Sequence, residues 1–151
     1  MPHQLDRATF DHFKQRLESI PADARPKWGK LTPAGLMAHL DFAVAVSLGE
    51  VPVTDTSNVI MRTVGKFLAF HVITRWPGGK LKAPDEWTPE PTETLEAERA
   101  KALGTLQRFI DAADADPARK TISPLLGPLT LQYWRRVHAL HLIHHFRQFG
   151  V

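Results

Sequence analysis

Apolar residues recur at helical spacing in five stretches of this chain, and proline or glycine interrupts the sequence between them. Residues three or four positions apart share one face of an α-helix, so this pattern predicts amphipathic helices. The predicted helices cover residues 6–19, 32–48, 57–75, 92–115 and 130–150. Four residues share one face of the third helix: Ile60, Val64, Phe67 and His71. No alternating pattern is long enough to predict a strand, so we expect an all-helical fold.

Local signals mark the ends of the predicted helices. Thr32 followed by Pro33 is typical of an N-cap and a first helical residue, and Gly49 is a typical helix end. Residues 76–91 contain four prolines and two glycines, which predicts a long connection. We therefore expect a helical bundle with one crossover loop, in a single domain over residues 1–151.

The composition limits which partners and which chemistry the chain can have. The sequence contains no cysteine, which excludes disulfides, thiolate metal ligands and a cysteine nucleophile. No apolar run approaches the roughly 20 residues that span a bilayer, and the first residues do not resemble a signal peptide. The formal charge is +3, but the basic residues do not form the dense stripe of Lys and Arg that is typical of a nucleic-acid-binding surface. We expect a cytoplasmic protein that binds a small-molecule substrate, without a membrane or nucleic-acid partner.

Histidine is concentrated near the end of the chain, where residues 138–145 contain four of the eight histidines. On a helical wheel with about 100° per residue, the inward face of the last helix comprises Trp134, Val137, His138, His141, His145 and Gln148. His141 and His145 are one turn apart, a spacing at which two imidazoles can bind one ion. His39 lies centrally on the apolar stripe of another helix and is the best third ligand. Two buried imidazoles with no nearby acid are costly to protonate, and a metal removes that problem.

Each of these side chains also has a second interpretation. A histidine on an apolar face is usually a hydrogen-bonded core residue, and spacing alone does not exclude this role for His141 and His145. His138 and His144 are either core residues or lie at the rim of a metal site. Arg99 lies inside the apolar stripe of the fourth predicted helix, where it either extends past the bundle end or contacts an anion.

Two segments of the chain resemble a known family. One is Trp28-Gly29-Lys30-Leu31-Thr32-Pro33 with Met37-Ala38-His39-Leu40. The other is Gly127-Pro128-Leu129-Thr130, Trp134 and His141-Leu142-Ile143-His144-His145-Phe146-Arg147-Gln148-Phe149-Gly150. Together they resemble DinB-like domains, in particular a branch that ends in His-His-x-Arg-Gln-Phe-Gly. That branch often has His-Pro before its Gly-Pro-Leu segment, where this chain has Ser123-Pro124.

The resemblance implies an all-α, four-helix bundle with an additional short helix and a long crossover loop. It implies a divalent metal bound by His39, His141 and His145, the same three residues that the wheels select. Imidazole ligands suit several transition metals, of which zinc and nickel are our first choices. The side chains expected around the metal or its substrate are His138, His144, Gln148 and Arg99. Many DinB-like domains dimerise, so a homodimer is a further expectation.

Two functions remain open at this point. The first is a metal-dependent enzyme with an open coordination position. By resemblance, it would catalyse thiol S-transfer or hydrolysis on a small electrophile, with a low-molecular-weight thiol as a cosubstrate. Asp41 faces away from His39 on the wheel, so we do not expect it to be the general base. The second is a non-catalytic metal- or small-ligand-binding stress-response module, in which His138 or His71 closes the metal site. Haem or nucleic-acid binding is a third and weaker alternative.

Overall fold

The computed structural model describes residues 3–80 and 83–151, and this part of the chain is mostly helical. Its α-helices are α1 (Phe10–Glu18), α2 (Pro33–Leu48), α3 (Leu95–Ala115) and α4 (Leu131–Phe149). Residues 59–72 form a further helical segment, which contains π-helical turns at Met61–Gly65 and Leu68–Val72, and a short 3-10 turn covers Asp85–Trp87. Two short strands, β1 (Lys120–Ser123) and β2 (Gly127–Thr130), form an antiparallel hairpin before α4. Among these described residues, no helix is long and apolar enough to cross a membrane.

The three long helices begin in the same way. Each follows a threonine whose hydroxyl accepts a hydrogen bond from the backbone N–H three residues later, at Thr32, Thr94 and Thr130. This bond satisfies one of the N–H groups that a first helical turn leaves without a partner. Helices α2 and α4 both end at a glycine with positive φ, Gly49 at 78° and Gly150 at 77°. The ends of the two helices are therefore well defined.

Helix α2 lies at the centre of the fold and packs against both α3 and α4. Most of its residues are buried, including polar His39 and Ser47. Helix α1 packs against α3 and α4 from the other side, where Phe13 stacks on Phe146 with the ring centroids 6.2 Å apart. A side chain on α2 that points towards α4 is thus buried between helices. His39 contacts His141 of α4 and therefore lies in the protein interior.

The third predicted helix is helical, but its predicted apolar face is not part of the core. Ile60, Val64, Phe67 and His71 are all exposed, whereas Phe70 is buried and packs on Tyr133. A π-helical turn contains more residues than an α-helical turn. The spacing of 3.6 residues therefore identifies the wrong face in this segment.

The hairpin contradicts the expectation that the fold has no strand. Lys120 pairs with Thr130 and Ser123 pairs with Gly127, so each strand has only four residues. Gly127 has a φ of 70°, and a Cβ at this position would lie 2.8 Å from Nε of Arg62. The turn thus needs glycine for its backbone and for its close contact with the helical segment. A strand of four residues is too short for its alternation to be recognised in a sequence.

Candidate metal centre

Three histidines from two helices converge in the interior. His39 comes from α2, and His141 and His145 come from consecutive turns of α4. The Nε2 atom of His141 lies 2.8 Å from Nε2 of His39 and 2.9 Å from Nε2 of His145. All three side chains are buried, and their candidate ligand atoms lie within 4.8 Å of one another. The structure therefore brings together the three residues that the sequence predicts as ligands.

The second nitrogen of two of these rings has an oxygen partner. Nδ1 of His145 lies 2.7 Å from Oε1 of Gln148, and Nδ1 of His39 contacts the backbone carbonyl of Trp87. The Gln148 amide donates its N–H to the carbonyl of Trp28 at 2.8 Å, which turns its oxygen towards His145. Because a carbonyl oxygen only accepts, both rings carry their proton on Nδ1. Their Nε2 atoms then present lone pairs to the centre of the group.

Protons alone do not satisfy these contacts. The Nε2 atom of a neutral His141 carries at most one proton, so it can donate to only one of its two neighbours. The other contact would then have no proton between its two nitrogens. A cation between the three nitrogens removes this conflict, because it accepts a lone pair from each ring. Three buried imidazoles, two of them with an oxygen partner on the outer nitrogen, are a donor set that could hold a metal ion.

Burial keeps the three rings neutral, which is the form that binds metals. Loss of solvation lowers the pKa of His39, although the Trp87 carbonyl opposes this shift. Loss of solvation, with the nearby His39, lowers the pKa of His145 to about 3. The pKa of His141 lies well below its ordinary value because the ring is buried among the other histidines. These rings therefore stay unprotonated near neutral pH.

Tryptophans from two loops enclose the centre. The ring of Trp76 lies 5.4 Å from that of His141 and 6.1 Å from that of His144. Trp28 contacts His144 edge-on at 5.7 Å. Arg147 donates a hydrogen bond to the Trp76 carbonyl at 3.0 Å and so ties this loop to α4. The site has an aromatic wall that sequence periodicity did not reveal, because the tryptophans lie outside the predicted helices.

Glycines make this close packing feasible. Gly29 has a φ of 77°, and a Cβ there would lie 3.1 Å from Nε2 of Gln148. A Cβ at Gly78 would lie 3.2 Å from the ring of Trp28. A side chain at either position would press on a residue that orders the centre.

The structure places the residues predicted around the site in different environments. Gln148 contacts His145 directly, as described above, and the His144 ring lies 5.1 Å from the His145 ring. Nε2 of His138 instead lies 2.7 Å from the hydroxyl of Ser47, and its ring stacks on Trp134. His138 is thus a hydrogen-bonded core residue, which was one of its two interpretations.

Arg99 and Asp41 each have a hydrogen-bond partner away from the three-histidine group. Arg99 donates a hydrogen bond to the backbone carbonyl of Ile20 at 2.6 Å. Asp41 accepts one from Thr105 at 2.6 Å. His71 is exposed beside Phe67 instead of buried in the core as expected. The Ser123 hydroxyl accepts a hydrogen bond from the N–H of Leu126 in the hairpin turn.

The chain belongs to a protein family of unknown function, DUF1569, whose family model matches residues 2–150. The match covers nearly the whole chain and includes His39, His141, His145 and Gln148. No curated protein and no solved structure matches the chain. The three-histidine centre thus lies within the region that defines the family.

Proposed function

We propose that this DUF1569 protein is a divalent-metal-dependent enzyme whose His39, His141 and His145 hold one zinc or nickel ion. The observation that carries this proposal is the convergence of three buried Nε2 atoms, with Nδ1 of two rings bonded to oxygen. Such outer hydrogen bonds are typical of metal-binding histidines, because they fix the ring and direct its lone pair.

The fold proposed for this site is a DinB-like four-helix bundle formed by α1, α2, α3 and α4. The order of the helices supports it, as do the contacts of α2 with α3 and α4. The segments that resemble DinB-like domains contain His39 at one end of the chain and both α4 ligands at the other. In this arrangement the metal would join α2 to α4.

The proposed chemistry is thiol S-transfer or hydrolysis on a small electrophilic substrate. Three neutral imidazoles leave an ion its full charge, which supplies Lewis acidity to a water molecule or a low-molecular-weight thiol. The protein's own residues would orient the ligand rings and exclude water from the centre. Gln148 holds the ring of His145, while Trp28 and Trp76 form an apolar wall beside the centre. This wall would contact the substrate or the thiol.

An open coordination position separates this proposal from a non-catalytic metal- or small-ligand-binding module. In the part of the chain that the structure describes, no fourth histidine, cysteine or carboxylate joins the group. The two candidates for a fourth ligand are His138, which bonds to Ser47, and His71, which is exposed. Three protein ligands are typical of catalytic zinc, and four are typical of structural zinc. The ligand count therefore favours the enzyme.

The first test is the metal content of tag-free protein and of the variants His39→Ala and His141→Ala, by mass spectrometry. The matched control is His138→Gln, since His138 is also buried on α4 but lies outside the group. We expect about one metal equivalent in the parent and the control, as for a single site, and a loss of metal from both ligand variants. Circular dichroism would verify that all four proteins are folded.

A parent protein that takes up neither zinc nor nickel on reconstitution would contradict the proposed metal site. If metal binds, the reconstituted and metal-free proteins are compared in assays of thiol transfer and hydrolysis on small electrophiles. Turnover that requires both the metal and His39 supports the enzyme. Stoichiometric metal without turnover in these assays would favour the binding module.

A further inference from the structure

Residues 59–73 expose an unusual number of large apolar side chains. Seven of them face solvent: Val59, Ile60, Val64, Phe67, Leu68, Val72 and Ile73. Val59 is 77% exposed and Phe67 is 59% exposed, so these are not side chains at the edge of the core. Single exposed apolar residues are common, but a group of this size usually marks a surface that binds something.

The hairpin turn extends this apolar surface. Gly65 lies against the side chain of Leu126, since a Cβ on Gly65 would be 3.6 Å from it. Leu125, the neighbouring residue, is 65% exposed. Lys66 joins the two elements by donating a hydrogen bond to the carbonyl of Pro128 at 2.7 Å. We call the seven side chains together with Leu125 the apolar face.

The charges around the apolar face are predominantly positive. From residue 56 to residue 80 the sequence has no Asp or Glu, and its basic residues are Arg62, Lys66, Arg75 and Lys80. Asp55 lies just before this stretch, and Arg62 pairs with it at 2.6 Å. Partial burial, together with the nearby cations Arg62 and Lys120, lowers the pKa of Lys66. Arg62, Lys66 and Lys120 thus lie close to one another at this edge of the face, with Asp55 as the nearby carboxylate.

We propose that the apolar face docks onto an anionic lipid surface. A helix with exposed Val, Ile, Leu and Phe and with Lys and Arg beside them is typical of segments that lie in a membrane interface. The apolar side chains enter the acyl boundary while the cations meet the lipid phosphates. We expected no membrane partner because no segment spans a bilayer, but a face that lies on the surface needs no span.

Two other occupants match the apolar face less well: a second copy of the chain and an acidic protein. A second copy of the chain, packed face to face, would bring a second stretch with an excess of basic residues against the first, and like charges disfavour this contact. An acidic protein would match the charge, but it would also have to offer an apolar surface as wide as the face. A bilayer supplies both features without any specific shape. This inference is independent of the metal centre and of the proposed reaction.

The test is co-sedimentation of the full-length protein with two kinds of vesicle. One kind is phosphatidylcholine alone, and the other has equal parts of phosphatidylcholine and phosphatidylserine. We expect the protein to sediment with the anionic vesicles and to be released by high salt, which screens the charges. Phe67→Asp should weaken binding by roughly tenfold or more, because it replaces an inserted ring with a charge. Phe67 is exposed, so this variant should fold.

The matched control is Gln15→Asp, which adds the same charge at an exposed position on α1. It should bind the anionic vesicles almost as the parent does. Light scattering of the vesicle-free protein tests the alternative occupant. A parent that does not sediment with anionic vesicles would overturn the proposal, and so would equal weakening by both variants. A stable dimer that Phe67→Asp dissociates would overturn it as well, and would assign the face to a second copy.

Discussion

At the scale of single residues, Gln148 has the central position. Its amide oxygen accepts from His145, and its N–H donates to the carbonyl of Trp28, so one side chain links a proposed metal ligand to the loop before α2. The amide cannot turn over without losing both bonds, because its oxygen and its nitrogen have different partners. The orientation of His145 is thus set by a residue that lies outside the three-histidine group.

We predict that Gln148→Ala lowers zinc affinity about 10- to 100-fold, the usual effect of removing the outer partner of a histidine ligand. Competition with a chromogenic chelator measures this. The control is Gln132→Ala, since Gln132 is an exposed residue of α4 whose side chain bonds to that of Gln4. Equal affinity in Gln148→Ala and the parent would show that Gln148 does not support the site.

The contacts of single residues were predictable only where the residues lie on regular helices. His141 and His145 are one turn apart on α4, and His39 is on the buried side of α2, so helical wheels were enough to select them. The partner of Nδ1 of His39 is the carbonyl of Trp87, in the connection before α3. No periodicity constrains the path of such a connection, and a carbonyl leaves no signal in a sequence.

At the scale of elements, helix α2 depends on its N-cap, Thr32. The hydroxyl of Thr32 accepts from the N–H of Gly35 at 3.0 Å, and Pro33 follows as the first helical residue. Thr32 therefore determines where the helix that carries His39 begins.

We predict that Thr32→Ala lowers the free energy of unfolding by about 0.5–2 kcal/mol, the range measured for lost N-caps. Thr32→Ser keeps the hydroxyl and should lose much less, which makes it the matched control. Urea unfolding followed by circular dichroism compares the three proteins. Equal stability of the alanine and serine variants would mean that the cap contributes nothing here.

Cap residues also explain which element boundaries were predictable. Helices α2 and α4 begin and end within one residue of the predicted bounds, because Thr32, Gly49 and Gly150 have local roles that do not depend on the rest of the fold. The first helix begins later than predicted. Asp6 accepts from the N–H of Thr9 in a turn, and Thr9 is the N-cap of α1. The π-helical turns and the hairpin depend on tertiary contacts, such as Arg62 with Gly127, which a sequence does not display.

At the scale of the whole molecule, the buried histidines link stability to pH. Burial lowers the pKa of His138 to about 3, compared with an ordinary value near 6.5. Between these two pH values the unfolded chain binds a proton that the folded chain does not bind. Acid therefore favours unfolding, and the free energy of unfolding falls by about 1.4 kcal/mol per pH unit for one such histidine.

We predict that His138→Gln makes the metal-free protein less sensitive to acid. Glutamine does not titrate and can still bond to Ser47, so the slope of stability against pH should decrease by about one proton, or 1.4 kcal/mol per pH unit. Urea unfolding of both proteins between pH 6 and pH 4 gives the two slopes. Parallel slopes would indicate that His138 is protonated in the folded protein.

The convergence of His39 and His141 has a kinetic consequence. The two residues are 102 positions apart in the chain, and their nitrogens lie 2.8 Å from each other. An ion held there would close a loop of about a hundred residues in a protein without disulfides, and so restrict the unfolded chain as a cross-link of that span does. Both ligand-bearing helices must dock before the ion can bind all three rings, so the ion would act late in folding. It would slow unfolding and leave folding almost unchanged. The lifetime of the native molecule would then depend on the supply of metal.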